Sequence, residues 1–212
     1  MISPSLLLVL VLSYFIGAVP FAVLVSKQLR GVDVRRTGSG NTGAMNTLRS
    51  AGRTAGVVVA LLDGAKAAAA MLLGRLLFDP QLAVLCGIAA VAGHCFSPYL
   101  MFAARNERGG GWKMALRRTG GKGLASGMAV MLLTDWRIAV ICSLIFFGTL
   151  LIMRRDETWP AIIGVAFTTP LAWWLTRESA TTLAVLLVSI LVIIKHLPDV
   201  RQGFYVTMNH EQ

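Results

Sequence analysis

Residues 38–49 read Gly-Ser-Gly-Asn-Thr-Gly-Ala-Met-Asn-Thr-Leu-Arg, a stretch that concentrates the residue types able to hold an anion. Gly38, Gly40 and Gly43 let the backbone take positive φ and present N–H groups, while Ser39, Asn41, Thr42 and Asn46 add short polar side chains. Arg49 closes the run with a planar fork suited to phosphate. A second cluster, Thr119-Gly120-Gly121-Lys122-Gly123, sets a compact cation between glycines that let backbone approach a ligand. His196 and Asp199 lie three residues apart, on one face if that segment is helical, as do Asp63 and Lys66. His94 follows Gly93 in an apolar stretch, where an ionisable group is by default a candidate for function.

Several chemistries are disfavoured by context. The spacing of the first cluster satisfies G-x-G-x-x-G, but a dinucleotide site needs a buried strand before it and a βαβ unit around it. Here Arg35-Arg36 precede the cluster and a long apolar run follows. The second cluster is not a phosphate-binding P-loop, because no Ser or Thr follows Lys122. Histidines and cysteines show no metal-ligand spacing, so neither metal nor cofactor is expected, and Cys86, Cys95 and Cys142 read as small packing residues. A phosphorylated substrate handled at a membrane surface fits better.

The elements that must position these groups are membrane helices. Hydrophobic residues make up 56% of the 212-residue chain and charged residues only 14%, against about 25% charged in soluble domains. Mean hydropathy is +0.69, and the apolar stretches are apolar all round, as lipid exposure requires. Seven segments are expected, at 4–26, 55–78, 82–104, 121–134, 137–153, 159–176 and 180–197. The fourth is short for a hydrocarbon layer of ~30 Å and is expected to begin in a re-entrant or interfacial loop. The first run has no A-x-A cleavage signal and is expected to remain as a span. One integral-membrane domain, residues 1–212, is expected.

Basic residues set the orientation. Loop 27–54 carries Lys27, Arg30, Arg35, Arg36, Arg49 and Arg53, and loop 105–122 carries Arg105, Arg108, Lys113, Arg117, Arg118 and Lys122. Arg154, Arg155, Lys195 and Arg201 fall on the same side, whereas the alternate turns are nearly neutral. The positive-inside rule then puts the N-terminus outside and the C-terminus in the cytoplasm. The formal net charge of +10 is read as topology and lipid attraction, with no nucleic-acid partner expected.

Four motifs in this order, residues 38–49, Leu61-Leu-Asp-Gly-Ala-Lys66, Gly93-His-Cys-Phe-Ser-Pro98 and Gly120-Gly-Lys-Gly123, resemble those of the bacterial acyl-phosphate:glycerol-3-phosphate acyltransferases, the PlsY family. The resemblance covers nearly the whole chain. It implies an all-α membrane protein with seven transmembrane helices and glycine-rich cytoplasmic loops, in the bacterial inner membrane. The implied reaction transfers an acyl chain from acyl phosphate to glycerol 3-phosphate, giving lysophosphatidic acid and phosphate for phospholipid synthesis. The partners implied are those two substrates, membrane lipid and a soluble PlsX-type phosphate acyltransferase that supplies the donor. By the same resemblance Ser39, Gly40, Asn41 and Gly43, with Asn46, Gly120 and Gly121, cradle substrate. Arg49 and Lys122 hold the phosphate of glycerol 3-phosphate, Thr158 contacts the same substrate, and His196 matches the family's histidine at the end of the last span. The candidate proton acceptors are His196, Asp199 and the donor phosphate itself.

The chain departs from the family pattern at Asp199, where asparagine is usual, at Thr119, where lysine is usual, and in an inserted segment that includes Arg105 to Arg118. The i, i+3 spacing leads us to expect Asp199 beside His196, accepting hydrogen bonds from the glycerol hydroxyls; repulsion of a phosphate, or pairing with Lys195 or Arg201, are the alternatives. Two other functions share the basic loops. A transporter of a phosphorylated small molecule would show internal repeats, and the second glycine motif does not repeat the first. A non-catalytic lipid-binding relative is the other.

Overall fold

The computed structural model describes residues 3–104, 118–153 and 157–208, with side chains described up to residue 200 in the last stretch. Most of the inserted segment 105–118, together with Arg154, Arg155 and the side chain of Arg201, lies outside the described residues. Among the described residues the fold is all-helical. The described residues hold ten α-helices, in order α1 Pro4–Ala18, α2 Phe21–Arg30, α3 Ala44–Ala51, α4 Arg53–Leu77, α5 Pro80–Cys95, α6 Pro98–Ala104, α7 Leu124–Thr134, α8 Trp136–Met153, α9 Thr158–Thr176 and α10 Ser179–Met208. Among the described residues five stretches are long and apolar enough to cross a membrane: α1 with α2, α4, α5 with α6, α8 and α10. The shorter apolar α7 and the 19-residue α9 pack among them, giving the seven expected segments.

Large apolar side chains face outward, Leu76 and Ile152 each being 83% exposed, while the interior is built from small residues such as Ala67, Ala70, Ala90 and Gly87. Lipid tails compete with any apolar contact between helices, so close backbone approach has to supply the packing. Where α1 crosses α5, a Cβ on Gly17 would lie 2.0 Å from the Ala90 carbonyl oxygen, and one on Gly93 would lie 2.0 Å from that of Tyr14. Helices α4, α7, α8, α9, α10 and α5 contact one another in a closed ring, with α1 against α4 and α5.

Two expected spans are broken. The first stops at Val19-Pro20, since proline lacks the N–H that would continue α1, and restarts as α2. The third breaks at Phe96-Ser97, before Pro98. The carbonyls freed by these breaks are satisfied by side chains, as membrane burial demands. Ser97 Oγ donates to Ala18 O at 2.6 Å, Lys66 Nζ to Val19 O at 2.9 Å, and Tyr14 OH to Phe96 O at 2.5 Å.

The run 27–54, read from sequence as a loop, contains structure of its own. A 3₁₀ turn at Val34–Arg36 is followed by the glycine loop, and residues 44–51 form α3, ended at Gly52 with φ 92°. Asn46 and Arg49 therefore sit on a helix rather than on a loop. Helix α7, with 11 residues, spans only ~16 Å at 1.5 Å per residue, so residues 118–123 enter as the expected re-entrant loop. That loop is held by protein partners, Gly121 N donating to His94 O at 3.1 Å and Ser97 N to Thr119 O at 2.7 Å.

Candidate active site

Asn46 organises the glycine loop. Its Nδ2 donates to the carbonyls of Val34, Asn41 and Thr37 at 2.9, 2.9 and 3.2 Å, and its Oδ1 accepts from Ser39 N at 3.1 Å. The side chain is 2% exposed and its polar atoms are engaged by the loop, so it shapes the cradle. Gly38 and Gly40 take φ of 54° and 72°, and a Cβ on Gly38 would lie 2.4 Å from Asn46 Oδ1. Part of the loop's own N–H capacity is spent internally, Gly40 N on Thr37 O and Asn41 N on Ser39 Oγ. The first turn of α3, which begins after Gly43 with no side-chain cap, adds N–H groups that have no intrahelical acceptor at the positive end of a helix.

The re-entrant loop closes on the same region. A Cβ on Gly121 would fall 2.1 Å from His94 Nε2, and one on Gly120 2.2 Å from His94 O, so both positions need glycine for the approach to α5. This seats Lys122 over the mouth of a cavity of about 290 Å³. Ser39, Asn41, Gly43, Asn46, Lys122 and Glu157 line its polar end, with Asp63 and His94 beside them. The cavity continues between α7, α8 and α9 into an apolar limb walled by Met128, Phe146, Phe147, Leu150 and Val165. One compartment thus joins an anion cradle to a hydrocarbon-lined slot.

The cations each meet a carboxylate. Arg49, in the last turn of α3, grips Glu157 bidentately: Nη1 donates to Oε1 at 3.1 Å, and Nη2 to Oε2. Lys122 Nζ stands 2.6 Å from Asp199 Oδ2. Spacing along α10 predicts Asp199 beside His196 but does not reveal that Lys122 lies across from it. Lys195 Nζ donates to Thr119 Oγ1 at 3.2 Å. Glu157 escaped the sequence reading altogether. The one signal was a carboxylate in the basic stretch that opens α9, next to Thr158, which is buried at 2% exposure.

His196 is fully buried. Its Nδ1 lies 2.7 Å from Val192 O, a geometry that makes Nδ1 the protonated nitrogen and leaves Nε2 with its lone pair. Nε2 has no hydrogen-bond partner among the described residues. The residues lining the cavity include neither His196 nor Asp199, Thr158 nor Arg49; Arg49 reaches that mouth through Glu157. Beneath it, Asp63 Oδ1 lies 2.8 Å from Lys66 Nζ and 3.4 Å from His94 Nδ1. The expected i, i+3 pair is present, and His94 joins it.

Comparison with known proteins assigns the family. A family model described as glycerol-3-phosphate acyltransferase matches residues 7–204. The chain belongs to the glycerol-3-phosphate acyltransferase family. Curated relatives include glycerol-3-phosphate acyltransferase 1 of Deinococcus radiodurans, 34% identical over 92% of this chain and 90% of that protein. The glycerol-3-phosphate acyltransferase of Mesorhizobium japonicum is also 34% identical, over 92% and 91%. The fold is that of the crystal structure of PlsY (YgiH), an integral membrane glycerol 3-phosphate acyltransferase, in its glycerol 3-phosphate form. The TM-score is 0.79 at 24% identity, covering 95% of this chain and 92% of that one. This glycerol-3-phosphate acyltransferase family member is therefore a multi-pass membrane acyltransferase.

Proposed function

We propose that the protein transfers an acyl group from acyl phosphate to a hydroxyl of glycerol 3-phosphate at the cytoplasmic face of the bacterial inner membrane, with its N-terminus outside. The observation that carries this reading is the single cavity that begins at the glycine loop and Lys122 and ends among Met128, Phe146 and Phe147. Such a compartment suits a donor with a phosphate head and a hydrocarbon tail. The acceptor's name comes from the relatives, and two of the solved PlsY structures are described as the glycerol 3-phosphate and lysophosphatidic acid forms.

In this reading the first turn of α3 behind Ser39, Gly40, Asn41 and Gly43 receives the donor phosphate, with Asn46 fixing the loop. Lys122, on its Gly120-Gly121 hairpin, and Arg49 hold the acceptor phosphate, with Thr158 alongside. The acceptor hydroxyl attacks the acyl carbon, the bond from that carbon to the phosphate oxygen breaks, and an ester and inorganic phosphate result. Little covalent help is needed, because phosphate is a stable leaving group and the site brings two anions together in a dehydrated, basic setting. At 4 Å and an effective dielectric near 20, two unit charges repel by about 4 kcal/mol, which Arg49, Lys122 and the helix terminus offset. The hydroxyl proton passes either to His196 Nε2 or to the departing phosphate. His196→Gln separates the two, since a large fall in kcat with little change in KM assigns the proton to His196, and near wild-type kcat assigns it to the phosphate.

Full-length protein in detergent micelles, supplied with palmitoyl phosphate and radiolabelled glycerol 3-phosphate, should release phosphate and labelled lysophosphatidic acid in equal amounts. Folded protein that forms no product would overturn the proposal. A PlsX-type soluble enzyme is the supplier this donor requires.

A further inference from the structure

Lys122, which lines the cavity, and Arg49, which reaches it through Glu157, are each countered by a carboxylate from a different part of the chain. Glu157, 9% exposed, stands immediately before α9 and takes both arms of the Arg49 fork, the arrangement a phosphate would take. Asp199, on α10, takes Lys122 at 2.6 Å, and both of those side chains are largely buried. Each pair joins elements far apart in sequence, α3 with the start of α9 and the re-entrant loop with α10, and in the first a half-exposed Arg49 is held by a largely buried carboxylate. A carboxylate and a phosphate oxygen compete for the same donors, so a phosphate can reach full contact with Arg49 or Lys122 only by displacing the resident anion.

We propose that Glu157 and Asp199 are internal counter-anions that occupy the phosphate-binding cations between turnovers, weakening the hold on glycerol 3-phosphate and helping to expel product phosphate. The proposal rests on the assignment of Arg49 and Lys122 as phosphate ligands. It makes Glu157 and Asp199 tuning residues, which set affinity by competition and take no part in bond making. An enzyme that releases an inorganic anion at every turnover gains from such competition, because a basic cradle with nothing to re-occupy it would retain the product.

The test is anion affinity of the purified full-length protein in detergent, measured by calorimetric titration with inorganic phosphate and separately with glycerol 3-phosphate. Glu157→Gln and Asp199→Asn keep shape and remove charge. Each should lower the Kd for both anions roughly tenfold, equivalent to ~1.4 kcal/mol, and the double variant should lower it further. Asp199→Glu, which keeps the charge, should not tighten binding. In turnover the neutral variants should show a lower KM for glycerol 3-phosphate and stronger inhibition by inorganic phosphate, with kcat falling as release becomes limiting. Unchanged or weaker anion binding in both Glu157→Gln and Asp199→Asn would overturn the proposal and make the carboxylates struts for the cations. The two pairs are separate, so either variant is informative if the other does not fold. Turnover by wild type with no tightening in the variants defeats this inference alone. Tightening without acyl transfer by wild type defeats the functional reading alone.

Discussion

Lys122 lines the cavity and Arg49 reaches it through Glu157, among polar walls that also include Ser39, Asn41, Asn46, Asp63 and His94. Losing one charge-assisted phosphate contact costs roughly 1.5–3 kcal/mol, at about tenfold in rate per 1.4 kcal/mol. Arg49→Ala and Lys122→Ala should therefore each reduce kcat/KM by tens-fold or more while the protein still elutes as a folded species in detergent. Wild-type kinetics in both would remove them from the site. Truncation also strands Glu157 or Asp199 without its cation, so a pure charge test is better made with Arg49→Gln and Lys122→Gln beside the alanines. At Gly121 the expectation is steric, since even Ala places a methyl group inside His94. Gly121→Ala should abolish activity by shifting Lys122.

Helices and loops bring these residues together, and the elements were only partly legible in the sequence. Hydropathy located all seven segments because lipid imposes a length and a composition on each. The glycine loop was visible because its residue types have few other uses between spans. The breaks at Val19-Pro20 and Phe96-Ser97 were hidden inside runs that stay apolar, and the proline alone does not say whether a helix kinks or restarts. Helix α3 was hidden by the glycines before it. Glu157 could not be paired with Arg49, 108 residues away, without knowing that α9 returns to α3. At the element scale two stability outcomes follow. Asp63→Ala leaves Lys66 buried without its carboxylate, and loss of one partner of a buried pair costs about 3–5 kcal/mol. Thermal unfolding in detergent should show it, with Asp63→Asn milder.

Asp33, in the connection between the first two spans, is bonded by Arg35 at 2.6 Å and faces Lys27 at 3.3 Å. The hydrogen bonds from Arg35, foremost among the causes, hold its carboxyl well below the ordinary carboxylate range. A depressed folded-state pKa stabilises fully above the unfolded value of ~3.9 and is lost as pH falls through the folded one. The contribution of Asp33 should thus be flat between about pH 5 and 8 and decline only in stronger acid. Asp33→Asn should cost ~1 kcal/mol at neutral pH and abolish that acid-side dependence.

Across the whole molecule, the described residues include no sizeable soluble domain, and the anion cradle is compact. Palmitoyl-CoA should accordingly fail as donor where palmitoyl phosphate succeeds; efficient transfer from the thioester alone would overturn the donor assignment. On the proposed function the acyl chain enters the apolar limb, which would then limit its length. Gly164 lines it, and a Cβ there would meet Cys142 O and Phe146 only at 3.6 Å, so Gly164→Ala should be tolerated. Gly164→Phe should fill the limb and lower kcat/KM for palmitoyl phosphate far more than for butyryl phosphate. Equal losses for both would place the acyl chain elsewhere.

The broken first span bears on how the chain enters the membrane. Of the carbonyls freed by that break, Ala18 O receives Ser97 and Val19 O receives Lys66 beside the local Phe21 N–H, and the break in the third span borrows Tyr14 from the first. A polar backbone group left bare in hydrocarbon costs several kcal/mol, so none of these spans is at ease alone. Synthesis delivers residue 14 long before residue 97. The ribosome must therefore extend the chain through two further crossings before the first can close its bonds. Until then the nascent first span has reason to stay beside the translocon, and the three N-terminal crossings should leave it for lipid together.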